Sequence, residues 1–199
     1  VVNAGRQLRD LTAELVDIQS IESGTIALAI EAVPVAEVAR DAVTLVRSLP
    51  ASRNLTITSN AEPDLAVVAD RRRLHEVLLN LLSNAVKYNR AGGRVDLRAC
   101  NEGAMVRVSV SDTGAGLAPE DVSRLFQPFE RLRARESDVE GSGIGLVVTK
   151  RVIEAMGGTI GVDSATGEGS TFWFVLPSGP PAGTEGSPTQ ADRVSQPSR

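Results

Sequence analysis

The sequence predicts an α+β domain, and three observations carry that expectation. Amphipathic helical periods alternate with short period-2 runs, and a hairpin signature joins two of those runs in mid-chain. The apolar complement is almost wholly aliphatic, with four Phe, one Trp and one Tyr in 199 residues. A core between sheet and helices must therefore be built from Val, Leu, Ile and Ala.

The elements follow in order. Val1, Ala4, Leu8, Leu11, Leu15 and Ile18 have the three-four spacing of a heptad seam on a helix running to about Glu22, and such a seam needs a partner helix. Ser23-Gly24 stops it. Thr25 to Val33 alternates weakly as a strand, and Pro34 starts a helix through about Leu49 with Val35, Val38, Ala39, Ala42, Val43 and Val46 inward. Two short strand-like runs, Leu55 to Thr58 and Leu65 to Val68, lead to Asp70. That residue is the expected cap of a helix from Arg71 to about Asn89, ended by Ala91-Gly92-Gly93.

Arg94 to Ala99 and Met105 to Val110 alternate as two strands joined by Asn101-Glu-Gly103. A short helical stretch is expected around Leu125, and the charged run Glu130 to Glu140, between glycine-rich segments, reads as a mobile lid. A helix over about Ile144 to Met156 and strands Thr159 to Val162 and Thr171 to Leu176 close the domain. From Ser178 onward Pro, Gly, Ser and Thr dominate, so a disordered tail is expected, and no internal repeat is present.

Composition excludes several classes of function. Lys plus Arg is 21 and Asp plus Glu is 25, a net charge of −4 with no basic stripe, which argues against a nucleic-acid partner. One cysteine, Cys100, forbids an internal disulfide, and with one histidine, His75, a zinc centre is nearly excluded. Cys100 stands at a strand end and reads as a small unreactive residue. No apolar run approaches the ~18 residues of a membrane span, so no direct membrane contact is expected. The first residue is Val, so the chain is expected to be a piece of a longer protein.

Three groups of residues can carry chemistry. Asn80, Asn84 and Lys87 fall at i, i+4 and i+7 on one helix face, opposite Val77, Leu78, Leu81, Leu82 and Val86. Amide oxygens are hard ligands suited to Mg²⁺, and an ammonium balances phosphate charge, although the same triplet also describes an ordinary solvated face. Asp112 ends a strand before Gly114 and Gly116; a carboxylate fixed there can accept a hydrogen bond from an exocyclic amine, but Asp-Gly pairs are also plain turn chemistry. Gly141-Ser-Gly143-Ile-Gly145 precedes a helix whose amides suit an anion. A dinucleotide fingerprint fails there because Leu146 or Val148 stands where glycine is required, and no Gly-Lys-Ser/Thr loop occurs.

Taken in order, Asn80-Leu-Leu-Ser-Asn84-Ala-Val-Lys87-Tyr88, Asp112-Thr-Gly-Ala-Gly116, Phe126-Gln-Pro-Phe129, Gly141-Ser-Gly-Ile-Gly145-Leu146 and Gly169-Ser-Thr171 resemble the N, G1, F, G2 and G3 boxes of sensor histidine kinases of two-component systems. The resemblance runs from about Val1 to Pro177. It implies a two-layer α/β sandwich, the Bergerat-type ATP-binding fold, with a mixed β-sheet backed by helices and preceded by one helix of a dimerisation hairpin. The implied division is residues 1–23 for the second hairpin helix, 24–178 for the catalytic domain and 179–199 for the tail.

The implied ligands are ATP and Mg²⁺. Asn84 would be the metal ligand, with Asn80 and Lys87 near the phosphates as catalytic residues and Asp112 on the adenine amine. Gly114 and Gly116 would line the adenine pocket. Gly143 and Gly145 would line the phosphate side, Leu125, Ile144 and Leu146 would also belong to the nucleotide-binding set, and Thr171 would supply a hydrogen bond near the base. Tyr88 either touches the nucleotide or is a core aromatic with its hydroxyl at the surface. Of Arg131, Arg133 and Arg135 in the charged run, the expectation settles on Arg131 as a γ-phosphate contact. The family's acceptor motif resembles His-Glu-x-Arg-x-Pro, and His75-Glu76 copies only its first two residues. His75 is thus expected to be a partly exposed first-turn residue, with the true phosphoacceptor upstream of Val1.

The implied partners are a response-regulator receiver domain and a second copy of the parent protein, joined through the N-terminal helix. The implied place is the cytoplasm, with a parent that is soluble or membrane-anchored, and the implied process is a phosphorelay. Three other readings compete. ATP-hydrolysing gyrase-type domains share the fold but use a Glu where Asn80 stands, and a carboxamide is no general base. Asp112-Thr-Gly-Ala also matches half of an aspartic protease dyad, which leaves the Asn/Lys face unexplained. A non-catalytic binding module is opposed by the intact N, G1 and G2 boxes.

Overall fold

The computed structural model of the chain describes residues 27–127 and 144–180. The heptad segment, the charged run with Arg131, Arg133 and Arg135, Gly141, Gly143 and the tail beyond residue 180 lie outside the described residues.

Strand β1 (Ile30–Pro34) pairs antiparallel with β3 (Ala66–Asp70) in a separate two-stranded sheet. The main sheet has the order β2 (Thr56–Ala61), β4 (Arg94–Glu102), β5 (Met105–Asp112), β7 (Gly169–Pro177), β6 (Thr159–Ala165). Only β2 and β4 run parallel; the remaining pairs are antiparallel, so the sheet is mixed as expected. Three longer elements, α1 (Val35–Arg47), α2 (Arg71–Lys87) and α4 (Gly145–Ala155), back the sheet, and α3 (Pro119–Val122) is a single turn. This is the two-layer sandwich.

Each inward face is the apolar face of its period. In α1 the residues Val35, Val38, Ala39, Ala42, Val43 and Val46 are all buried, as their spacing predicts. In α2 the buried set is Leu74, Val77, Leu78, Leu81, Leu82, Ala85 and Val86. Val95, Leu97, Val106, Val108, Val110, Phe174 and Leu176 meet them from the sheet. Each such side chain contributes about 1.5–3 kcal/mol by leaving water. The opposite face of the sheet carries Trp173, whose ring lies 4.3 Å from the Arg107 guanidinium and packs on Gly161, its cross-strand neighbour.

Several boundaries move for local reasons. Among the described residues the first strand begins at Ile30, and it ends on Pro34, which is both the last strand residue and the cap position of α1. The helix begins at Val35 and stops at Arg47, where Ser48 turns the chain through its amide and hydroxyl to Leu45 O. The central hairpin is longer than expected: pairing continues to Glu102 opposite Met105, leaving Gly103-Ala104 as the connection with Gly103 at φ +73°. The helical turn expected around Leu125 lies earlier, over Pro119–Val122. Leu125 follows it in a hydrogen-bonded turn with its side chain in the core. Strands β6 and β7 both outrun the expected spans, to Ala165 and from Gly169. Beyond β7, Ser178 bridges to Val67 and the Gly179 amide donates to Ala66 O, tying the end of the main sheet to the small one.

Candidate functional site

Asp70 caps α2 by accepting the Arg73 amide at 3.0 Å, which fixes where the helix starts and therefore which residues share a face. Asn80, Asn84 and Lys87 then stand along one side of α2, all partly buried. Asn80 Nδ2 donates to Thr149 Oγ1 at 2.7 Å, and Thr149 is buried in α4. A Cβ on Gly145 would stand 2.8 Å from Asn80 Oδ1, so the first residue of α4 is seated on the Asn80 carboxamide. Asn80 is thereby a link between α2 and α4. The Asn84 carboxamide has no hydrogen-bond partner among the described residues. Lys87 reaches over the Tyr88 ring, 5.5 Å from its centroid, and Tyr88 is 48 % exposed, which excludes the core-aromatic alternative.

Asp112 ends β5 on the helix-facing side. Strand register places Val95, Asp112, Ser170 and Ser164 in one row across β4, β5, β7 and β6. Directly paired residues share a face, so these side chains point the same way as the buried Val110 and Phe172 two positions along. The Asp112 carboxylate accepts the Gly114 amide at 2.7 Å. Burial raises its pKa above the ordinary value, and hydrogen bonds from the Gly114 and Ser170 amides pull the other way.

The loop after Asp112 is held by backbone approaches that exclude side chains. A Cβ on Gly114 would overlap the Tyr88 carbonyl oxygen, and one on Gly116 would overlap the Ala165 carbonyl oxygen. Gly116 also takes φ +63°. Asn89 joins the helix end to this loop, donating to Arg94 O at 3.0 Å and accepting from Thr113 Oγ1 at 3.2 Å. Between them opens a cleft of about 310 Å³ lined by Tyr88, Asn89, Arg90, Gly114, Ala115 and Gly167. Half-buried carboxylate, side-chain-free loop and polar helix stripe together can recognise a flat, amine-bearing ligand extended by phosphates.

The structure brings Asn80, Asn84, Lys87, Tyr88, Gly114, Gly116, Asp112 and Gly145 to this end of the domain. Four expected site residues are placed differently. Thr171 faces the other side of the sheet, sharing a hydrogen bond with Ser111 Oγ at 2.9 Å. Leu125 and Ile144 are buried, at 7 % and 0 % exposure, and Leu146 packs against the core. The residue on the Asp112 side is Ser170, one position earlier, and period-2 counting back from Phe172 and Phe174 identifies it. Thr149 lies beyond the reach of sequence reasoning, since no local signal marks a buried hydroxyl four residues into a helix. His75 is partly exposed, as expected. Among the described residues no three His, Cys, Asp or Glu side chains converge as a metal site, and no helix is long and apolar enough to cross a membrane.

Comparison with known proteins agrees with this geometry. The family model described as "Histidine kinase-, DNA gyrase B-, and HSP90-like ATPase" matches residues 69–180, more than half of the chain. The non-motile and phage-resistance protein of Caulobacter vibrioides is 38% identical over 180 residues, covering 88% of this chain and 21% of that protein. Sensor protein GacS of Pseudomonas syringae pv. syringae is 39% identical over 177 residues, covering 85% and 19%. This chain thus spans about a fifth of the length of these relatives. Among solved structures, full-length ShkA in complex with AMPPNP superposes with a TM-score of 0.77 at 32% identity, covering 89% of this chain and 37% of that one. The mycobacterial sensor histidine kinase MprB gives 0.68 at 30% identity, covering 75% and 99%. With the Asp112 row, the Asn/Lys stripe and the glycine loop in one place, the chain belongs to the histidine kinase-, DNA gyrase B- and HSP90-like ATPase family, on its sensor histidine kinase side.

Proposed function

We propose that this domain binds Mg·ATP and transfers the γ-phosphoryl group to a histidine imidazole, releasing ADP, as the catalytic part of a sensor histidine kinase. The observation that carries the reading is the half-buried Asp112 carboxylate beside the C-terminal turn of α2, where Gly114 packs on the Tyr88 carbonyl. The carboxylate accepts the adenine amine, the unencumbered loop lets backbone reach the ring, and the α2 stripe faces the phosphates. The Asn84 carboxamide is the donor suited to Mg²⁺, which takes oxygen ligands and keeps several waters. Lys87 offsets phosphate charge. When bound, the metal would neutralise charge on the transferred group.

Hydrolysis is disfavoured on chemical and structural grounds. The position that would hold a water-activating carboxylate is Asn80, which cannot serve as a general base and is committed to Thr149. The acceptor we assign is a histidine other than His75, because His75 lies in the first turns of α2 without the Arg and Pro of the acceptor motif. Dimerisation through the N-terminal helix, relay to a receiver domain and a cytoplasmic setting belong to the same proposal.

The test is calorimetric titration with Mg·ATP, followed by incubation with γ-labelled ATP and a second polypeptide carrying the family's acceptor helix. Mg·ATP binding, and acid-labile, base-stable phosphate on that helix and none on His75, are expected. Absence of nucleotide binding overturns the site. Binding with steady ATP hydrolysis and no transfer would make it a gyrase-type ATPase.

A further inference from the structure

Ser164 has no place in the motifs above, yet its hydroxyl takes part in three hydrogen bonds. It accepts the Leu117 amide at 2.9 Å, donates to Gly169 O at 2.8 Å and shares a third hydrogen bond with Ser170 Oγ at 2.9 Å. A hydroxyl has one proton and two lone pairs. With the proton given to Gly169 O, both lone pairs are filled, one by Leu117 N–H and the other by Ser170 O–H, which fixes Ser170 as the donor of that pair. The Ser164 rotor therefore has a single arrangement.

Its three partners belong to three parts of one machine. Leu117 ends the glycine loop that follows Asp112. Gly169 is pressed against the Asp112 backbone, where a Cβ would overlap the Asp112 carbonyl oxygen. Ser170 is the register partner of Asp112, on the same face of the sheet. A second cross-link, Gly167 N–H to Ala115 O at 2.8 Å, closes the loop against the β6–β7 turn a few residues away.

We propose that Ser164 is a positioning residue for base recognition: its hydroxyl holds the Asp112–Leu117 loop against the β6–β7 turn, so that the Asp112 carboxylate and its glycine loop form one rigid reader of the purine edge. The inference rests on the nucleotide-site reading above. Ser164 touches no nucleotide itself. Without its hydroxyl the Leu117 amide and Gly169 carbonyl lose their shared partner, and the loop is held to the turn only through Gly167 and Ala115, while the α2 stripe is untouched. Base discrimination should fall, and the triphosphate contribution should remain.

The test compares wild type with Ser164→Thr, which keeps the hydroxyl, and with Ser164→Val, which has the threonine's shape without it. Each is titrated calorimetrically with Mg·ATP and Mg·GTP. Ser164→Thr should bind ATP within about twofold of wild type, and Ser164→Val should lose about tenfold, the scale of an abandoned buried hydrogen bond. Most of that loss should appear as a smaller ATP-over-GTP ratio. The ratio is the deciding readout, because a variant that is merely less folded has a lower competent fraction and weakens both nucleotides by the same factor. Ser164→Ala serves where the valine does not fold. An unchanged ratio in the hydroxyl-free variants, or equal losses in Thr and Val, overturns the role of Ser164. A wild-type chain that binds no Mg·ATP, or binds GTP equally well, overturns the site reading itself, and that result is distinct.

Discussion

Gly169 and Asp112 meet backbone to backbone: with Gly169 at φ +93°, a Cβ on its Cα would overlap the Asp112 carbonyl oxygen and lie 3.0 Å from the Thr113 Cα. The contact is between main chains of adjacent strands, so neither side can swing away as a flexible side chain does. It places the start of β7 so that its next residue, Ser170, stands opposite Asp112 in the strand register.

Gly169→Ala is therefore expected to cost about 2–4 kcal/mol, combining left-handed strain with overpacking against fixed backbone. Gly92, also left-handed at φ +71° but with open space around its Cβ position, gives the comparison. Gly92→Ala should cost about 1–2 kcal/mol. Urea unfolding of both variants checks the difference; equal midpoints would refute the close approach.

Asp112→Asn is expected to weaken Mg·ATP binding by about 1–3 kcal/mol and to bring ATP and GTP affinities together, because an amide can present a donor where the carboxylate is an acceptor. Stability should move oppositely. Burial raises the native pKa above the unfolded value of 3.8, so the native state holds the proton over a window where the unfolded chain has lost it. Stability from this group is thus lost as pH rises from the unfolded value through the raised one. The variant lacks that loss. Its melting temperature relative to wild type should rise as the pH is taken from below the unfolded value to neutrality, and a flat difference would contradict the cost of burying Asp112.

Asn84→Ala and Asn84→Asp test the metal role. The side chain is partly exposed and without protein partners among the described residues, so the fold should survive both changes. Alanine removes the oxygen ligand, and aspartate keeps an oxygen but adds repulsion toward the triphosphate. Mg²⁺-dependent enhancement of nucleotide binding should fall in both. Wild-type metal dependence in both variants would remove Asn84 from the site.

Thr149→Val preserves shape and deletes the buried acceptor of Asn80. A loss of about 1–2 kcal/mol is expected, with nucleotide affinity falling less than in Asp112→Asn because the Asp112 row is not touched. A variant as stable as wild type would show that the Asn80–Thr149 bond does not join α2 to α4.

Much of this architecture is legible from periodicity. The apolar face of α1, the cap at Asp70 and the alternation in β4 and β5 are local properties, set by side chains within one or two turns of one another, and each lies where expected. Boundaries differ where hydrogen bonds to distant residues extend or cut an element. Register with Met105 carries β4 to Glu102, and pairing with Ala66 keeps Pro34 in a strand.

The site divides along the same line. Its chemistry is readable because glycine, asparagine, lysine and aspartate at fixed spacings declare themselves in any sequence. Which side of the sheet each residue faces is not, since a one-residue offset in a strand reverses the side: the motif points to Thr171, and Ser170 does the facing. The resemblance puts Asn80 near the phosphates, and only the fold shows that α4 docks on it through Thr149, a contact between residues 69 positions apart. Ser164 carries no motif, and its importance arises only when two strands and a loop converge on one hydroxyl. Local sequence was enough to carry the family resemblance, most of the helices and strands and the polar groups on offer. Which of those groups share a face, and which are consumed as struts, emerged only in the folded chain, because cross-strand register and helix docking are set by long-range packing that no local pattern encodes.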